Sequence, residues 1–425
     1  MRIKFLSSII SSSLGNILEW YDFGLFTIFS TLFSRLFFPT DNQQVALIAT
    51  FGIFAIGFLC RPVGALLFGY LGDKRGRAVT LRLSMIVIAL PTFLIGVLPT
   101  YAQIGVLAPI TLTLIRMIQG ISIGGEYSGN LIYLAETAPT PYRATFTACA
   151  SMGANTGILL ASLVGIITSS MPEHTLETIG WRIPYLLSGA ICLFIFAYRL
   201  KIAESGVFNA LKEKHALAHN PIKTVFKKNL PELFRTIGMV CFGSTFYNFC
   251  FIYLPTYLIS LQQLSLSSIS YLITALILLM IVLAPICGFL CDKMGRRKML
   301  LFNSALAFTV IIPCFYLLHF NITALSICIL VLLTVISSLE QGTTPISLVE
   351  NFPSTARYTG LSFGYNIGNG LLGGTVAMVC TTLLAMTQIT ILPAVYIAIC
   401  ASITFIVVYF FVPETRGKSL LATTN

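Results

Sequence analysis

Charge, histidine and tryptophan are scarce in this 425-residue chain: Asp, Glu, Lys and Arg together make up 10%, and there are four His and two Trp. No Cys-x-x-Cys pair joins His174, His215, His219 and His319 in a metal site, so neither a metal nor another cofactor is expected. A Walker-type lysine loop is missing too. The longest polar stretch, 201–232, is too short to fold an enzyme domain. Ten of the eleven cysteines (Cys60, Cys149, Cys192, Cys241, Cys250, Cys287, Cys314, Cys328, Cys380 and Cys400) lie in apolar runs and read as small core hydrophobes.

What is abundant is apolar sequence. The chain is 56% hydrophobic with a mean hydropathy of +0.88, far outside the range of soluble domains, which predicts an all-α polytopic membrane protein. Runs near the ~20 residues needed to cross a bilayer fall at 7–33, 45–71, 79–99, 104–132, 143–168, 182–200, 234–258, 267–290, 299–318, 322–349, 359–385 and 392–412. These are twelve spans, six on each side of the polar stretch. Arg2 and Lys4 imitate the start of a secretory signal, but the apolar run continues through Phe33 without a small-residue cleavage site, so a retained first helix is expected.

Placing both termini in the cytoplasm puts 22 of the 26 Lys and Arg residues on the cytoplasmic side, as the positive-inside rule requires. Only Arg35 falls in an outside connection, while Arg61, Arg116 and Arg182 lie in or beside spans. The net charge of +11 therefore reflects topology and contact with anionic lipid, not a nucleic-acid surface.

The chain also repeats itself. Gly69-Tyr-Leu-Gly-Asp73-Lys-Arg-Gly76-Arg77 returns 219 residues later as Gly288-Phe-Leu-Cys-Asp292-Lys-Met-Gly295-Arg296. Tyr21-Asp22-Phe23 matches Tyr247-Asn248-Phe249 at an offset of 226, and Glu126/Glu340, Glu136/Glu350, Arg143/Arg357 and Asn155/Asn369 all stand 214 apart. An ordered series with shrinking offsets is the mark of two diverged copies, a pattern common in transporters.

These residues carry a resemblance. Gly15-Asn-Ile-Leu-Glu19-Trp-Tyr-Asp22-Phe, Arg61-Pro-Val-Gly64, the two turns, Arg116-Met-Ile-Gln119-Gly120, Gly124-Gly-Glu126-Tyr127, Trp181-Arg182-Ile-Pro184 and Pro413-Glu414-Thr-Arg416-Gly417 resemble the major facilitator superfamily. Within it they resemble the metabolite:proton symporters of proline/betaine and dicarboxylate type. Glu204-Ser205-Gly206 resembles the family's Glu-Ser-Pro but lacks the proline. The resemblance implies two six-helix bundles, 1–200 and 233–425, joined by a cytoplasmic linker at 201–232, in a monomer of a bacterial inner membrane. Its partners would be a small-molecule substrate, protons and lipid.

The same resemblance implies roles. Asp73 would accept hydrogen bonds from the N-terminus of a neighbouring helix and Arg77 would pair with Glu136, forming a latch that breaks on opening. Arg143, Asp292, Arg296, Glu350 and Arg357 would take part in the same gating. Ionisable residues inside spans are functional candidates by default. Asp22 is expected to carry the proton, with Arg116 as its switchable partner and Glu19 three residues away on the same helical face. Arg116 cannot lose its own proton, so its approach favours the carboxylate and its withdrawal favours the acid. Glu126 and Glu340 each sit ten residues, roughly 15 Å, inward of Glu136 and Glu350.

Substrate contacts are expected from Arg61, Glu126 and Glu340, from Tyr21, Tyr127, Tyr247, Tyr253 and Tyr365, whose faces suit an ammonium group, and from Asn248 and Asn366. Four buried acids against Arg61 and Arg116 leave two net negative charges. This favours a zwitterion such as proline or betaine over an organic acid such as 2-oxoglutarate, shikimate or citrate. A nutrient sensor that binds without translocating would need neither paired gates nor buried acids.

Overall fold

The computed structural model describes residues 2–40, 43–200, 202–255, 257–258, 266–320 and 322–421, so Lys201 in the expected linker lies outside it. These residues are almost wholly helical, with no strand among them. Six long helices come first: α1 (Arg2–Ile28), α2 (Gln43–Lys74), α3 (Arg77–Val97), α4 (Leu107–Thr137), α5 (Arg143–Ser169) and α6 (Arg182–Arg199). Six more follow: α7 (Leu230–Asn248), α8 (Leu266–Met294), α9 (Arg296–Leu317), α10 (Thr323–Asn351), α11 (Arg357–Ile367, resuming as Val376–Thr387) and α12 (Leu392–Phe411). Among the described residues eleven segments are long and apolar enough to cross a membrane. The 27-residue α1, packed along α5, completes the twelve. Large apolar side chains such as Leu59, Phe194, Val282 and Phe410 stay exposed on the outside, as a hydrocarbon solvent permits.

The duplication is visible in the packing. α1 lies against α5, α2 against α4 and α3 against α6; in the second half α7 lies against the turn within α11, α8 against α10 and α9 against α12. Two seams join the halves, α5 on α8 and α2 on α11. At the α2–α4 contact the backbones approach so closely that a Cβ on Gly120 would stand 2.0 Å from the Gly57 carbonyl oxygen, the small-residue packing typical of membrane helices. Gly76 (φ 117°) and Gly295 (φ 104°) reverse the chain between α2 and α3 and between α8 and α9, in a region that L side chains rarely adopt.

Several elements differ from the expected spans. The first run breaks at Phe29 (φ −86°, ψ 6°), where α1 gives way to a short helix, Ser30–Phe37. The 201–232 stretch folds into two eight-residue helices, Gly206–Glu213 and Pro221–Lys228, capped by the side chains of Ser205 and Asn220. Val207, Phe208 and Leu211 are buried, so the first of these helices packs its apolar face on the protein. α7 starts at Leu230, inside that stretch, because Pro231 suits a first helical turn. Wide π-type turns interrupt the second half at Phe249–Tyr253, directly after Asn248, and at Gly368–Gly373, directly after Ile367. Such turns recur at functional sites.

Candidate functional site

Helices α1 and α4 bring Asp22 and Arg116 together in the core of the first half. Arg116 Nη1 donates to Asp22 Oδ2 at 2.8 Å, with both side chains 3% exposed. Gln119 Nε2 donates to the same oxygen at 3.2 Å and to Thr92 Oγ1 at 2.9 Å, and the Thr92 hydroxyl donates to Asp22 Oδ1 at 3.3 Å. Arg116 and Gln119 are three apart and share a helix face. The guanidinium also rests over the Phe26 ring, 3.9 Å from its centroid.

Glu19 does not join this group. It faces Arg61 of α2, and its Oε2 has no hydrogen-bond partner. Arg61 lies over Phe58 and Phe23, at 3.9 and 4.8 Å, with Nε and Nη2 unpartnered. Tyr127 of α4 and Tyr365 of α11 stack between the halves with centroids 4.9 Å apart, and Tyr365 lies within electrostatic reach of Arg61, Glu19 and Glu340. From the other side the Tyr247 hydroxyl donates to Asn155 Oδ1 at 3.4 Å, and Asn155 Nδ2 donates to Gln341 Oε1 at 2.8 Å. Tyr21 packs half-buried at the edge of the first-half aromatic core. Asn248 is half-buried and donates to the Ser244 carbonyl on its own helix.

Three of the expected substrate contacts are committed elsewhere. Glu126 is sealed at 0% exposure by Arg199, whose Nη2 donates to Oε1 at 2.5 Å and Nη1 to Oε2 at 3.2 Å, and by the Ser84 hydroxyl. Arg199, grouped with the cytoplasmic charges from its place at the end of a span, reaches back into the bundle and is itself wholly buried. Tyr253 stacks between Phe249 and Tyr257 in the second-half core. Asn366 donates to the carbonyls of Gly124 and Ser362, both at 2.8 Å, and so bridges the halves.

The Glu126–Arg199 pair is possible only because Gly15 lies against it. A Cβ there would stand 2.0 Å from Arg199 Nη2 and 2.5 Å from Glu126 Oε1. Gly15→Ala is therefore expected to cost about 1–3 kcal/mol, the usual range for overpacking. Thermal unfolding in detergent should show a lowered transition; an unchanged one would mean that the pair yields freely.

The two turns form crossed latches. Asp73 accepts from the backbone N–H of Tyr358 and Thr359, at 3.1 and 2.9 Å, and from the Thr359 hydroxyl, capping α11. Asp292 accepts likewise from Ala144 N, Thr145 N and Thr145 Oγ1, at 2.9, 2.9 and 2.8 Å, capping α5. In each case an aspartate of one half meets the positive N-terminus of a helix in the other. Arg77 pairs with Glu136 at 3.2 Å and Arg296 with Glu350 at 3.0 Å. Glu136 also accepts from Arg357 of the opposite half at 2.8 Å, whereas Arg143 is 3.9 Å from Glu350 and donates instead to the Lys418 carbonyl at 2.7 Å. The charged end of the molecule is closed.

Sequence reasoning left Glu204, Ser205, Glu414 and Thr415 without roles. Glu204 accepts from the backbone N–H of Arg77 at 2.9 Å and Glu414 from that of Arg296 at 3.0 Å, capping α3 and α9. Ser205 donates to Glu136 and Thr415 to Glu350, both at 2.6 Å. Their shared offset of 210 was the available signal. Gly120-Ile-Ser122-Ile-Gly124 and Gly360-Leu-Ser362-Phe-Gly364 spell a hydrolase nucleophile elbow, but both lie inside regular helices and not at a strand-to-helix turn.

Known proteins bear on this geometry. The family model described as Major Facilitator Superfamily matches residues 4–372. A protein of Staphylococcus aureus (strain COL), provisionally named a proline/betaine transporter, is 35% identical over 423 residues, covering 98% of this chain and 90% of its own length. The proline/betaine transporter of Salmonella typhimurium (strain LT2) is 32% identical, covering 99% and 86%. Among solved structures, the proton:xylose symporter XylE bound to 6-bromo-6-deoxy-D-glucose superposes with a TM-score of 0.81 at 17% identity, covering 99% and 98%. The outward conformation of FucP gives 0.70 at 15% identity, covering 96% and 99%. The chain belongs to the Major Facilitator Superfamily: it is a multi-pass membrane protein and a secondary transporter, not an enzyme.

Proposed function

We propose that this transporter couples inward proton movement to uptake of a small zwitterion of the proline, betaine or amino-acid type across a bacterial inner membrane. Residues 1–200 and 233–425 act as the two rocking bodies of one monomer, and the latched end faces the cytoplasm. The observation that carries this reading is the Asp22–Arg116 pair, a titratable acid held at 2.8 Å by a fixed cation in a buried core. A proton reaching Asp22 neutralises it and releases Arg116; return of Arg116 after the bodies rock expels the proton to the other side. The position matching Asp22 is Asn248, which cannot titrate, so proton coupling belongs to the first half and the second half mainly holds substrate.

Charge supports a zwitterion. Asp22–Arg116 and Glu126–Arg199 cancel, which leaves Glu19 and Glu340 against Arg61 in the centre, a smaller acidic excess than the sequence implied but still unwelcoming to a dianion. The relatives named as proline/betaine transporters support the same reading. A small organic acid is the second reading, favoured by the unpartnered nitrogens of Arg61. Purified protein in proteoliposomes should accumulate labelled proline or betaine above equilibrium only when the outside is more acidic. Accumulation of 2-oxoglutarate instead would select the second reading; binding without uptake would make the protein a sensor.

A further inference from the structure

The two halves treat matching acids differently. Glu126 on α4 is neutralised by Arg199 and wholly sealed, while Glu340, 214 residues later on α10, is partly exposed within the interior. Among the described residues it forms no ion pair, and Thr344 stands four residues further along the same helix. The reason lies in the diverged last span. The matched caps Glu204 and Glu414 put Arg199 in register with Tyr409, and α12 contains no charged residue. On α7, Gly243 lies directly against the Glu340 carboxylate, so no side chain from that position covers it.

We propose that Glu340 selects the positively charged nitrogen of the substrate, with Arg61 holding the carboxylate end and the Tyr127–Tyr365 pair lying between them. The assignment rests on the symporter reading above and deepens it. Arg61 of the first half and Glu340 of the second both lie within electrostatic reach of Tyr365, which stacks on Tyr127. A guanidinium with free nitrogens suits a carboxylate. A carboxylate beside aromatic faces suits a quaternary or secondary ammonium. A head group without positive charge leaves Glu340 uncompensated in a low-dielectric site, so discrimination follows from charge and not from shape.

The test compares isosteres. Betaine and 3,3-dimethylbutanoate share shape and carboxylate but differ in the charge on the central atom, as do proline and cyclopentanecarboxylate. Binding of each pair to the purified, full-length protein is measured in detergent. Wild type should prefer the zwitterion by about a hundredfold, and Glu340→Gln should reduce that preference to about threefold or less, with Glu340→Asp restoring part of it. The ratio is taken within one preparation, so a smaller folded fraction cancels. An unchanged ratio in Glu340→Gln overturns the assignment and leaves the symporter reading standing. Wild type that binds neither zwitterion, or prefers the anionic isostere that lacks the positive nitrogen, overturns both.

Discussion

Asp22→Asn is expected to abolish proton-driven accumulation: in proteoliposomes with an acidic exterior, internal substrate should rise to equilibrium and no further. Exchange of labelled internal for unlabelled external substrate should continue within a few-fold of wild type. The amide preserves shape and one acceptor oxygen for Arg116 and Gln119, while its NH2 can donate to the Thr92 hydroxyl, so the cluster keeps most of its geometry. What disappears is the proposed proton-binding step, together with the charge that holds Arg116 at 2.8 Å. A static ion pair predicts a different result, namely misfolding or uniformly slowed transport with the response to the gradient intact. Retained uphill uptake would end the assignment of Asp22 as proton carrier. Arg116→Lys tests the partner, since a lysine keeps the charge but not the planar fork, and a shifted pH profile of uptake is the expected result.

Glu136→Gln should have the largest conformational effect. Glu136 lies between Arg77 and Arg357, at 3.2 and 2.8 Å, with essentially no exposure, and also receives the Ser205 hydroxyl. Without its charge two buried guanidiniums face each other across the seam between the halves. Removing one partner from a buried pair costs about 3–5 kcal/mol, so the closed-to-open equilibrium constant should shift by roughly two to four orders of magnitude. Hydrogen exchange at Tyr358 and Thr359, whose amides are held by Asp73, should accelerate accordingly. Glu350→Gln should do less, because Arg143 stands 3.9 Å away and already donates to Lys418. Equal effects from the two substitutions, or protection unchanged in both, would contradict this account of the latch.

The twelve-span architecture was legible because apolar runs, positive-inside charge and duplication each report it independently. Many contacts of the paired turns were legible too, since a repeated Asp, Arg and Glu at matched spacing constrains which groups can meet. The centre was less so. Arg199 ends its span and so looked cytoplasmic, yet a long side chain can turn back along a helix, and the acid it seals, Glu126, was expected to face substrate. Tyr253 lies one helical turn beyond Asn248, where the π-type turn rotates it into the apolar core. Spacing along one helix carries no record of which neighbour a side chain will reach, nor of a local change in helical pitch.

The crossed arrangement of Asp73 on α11 and Asp292 on α5 bears on leakage. Each aspartate belongs to one half and each capped helix to the other, so the proposed rocking of the halves would have to break both caps at once. A fluctuation that frees one leaves the halves pinned at the second, a pivot rather than a passage. Were the two independent, the chance of an accidental conduit would be the product of two small numbers, so the duplication would give the membrane a seal whose tightness is squared.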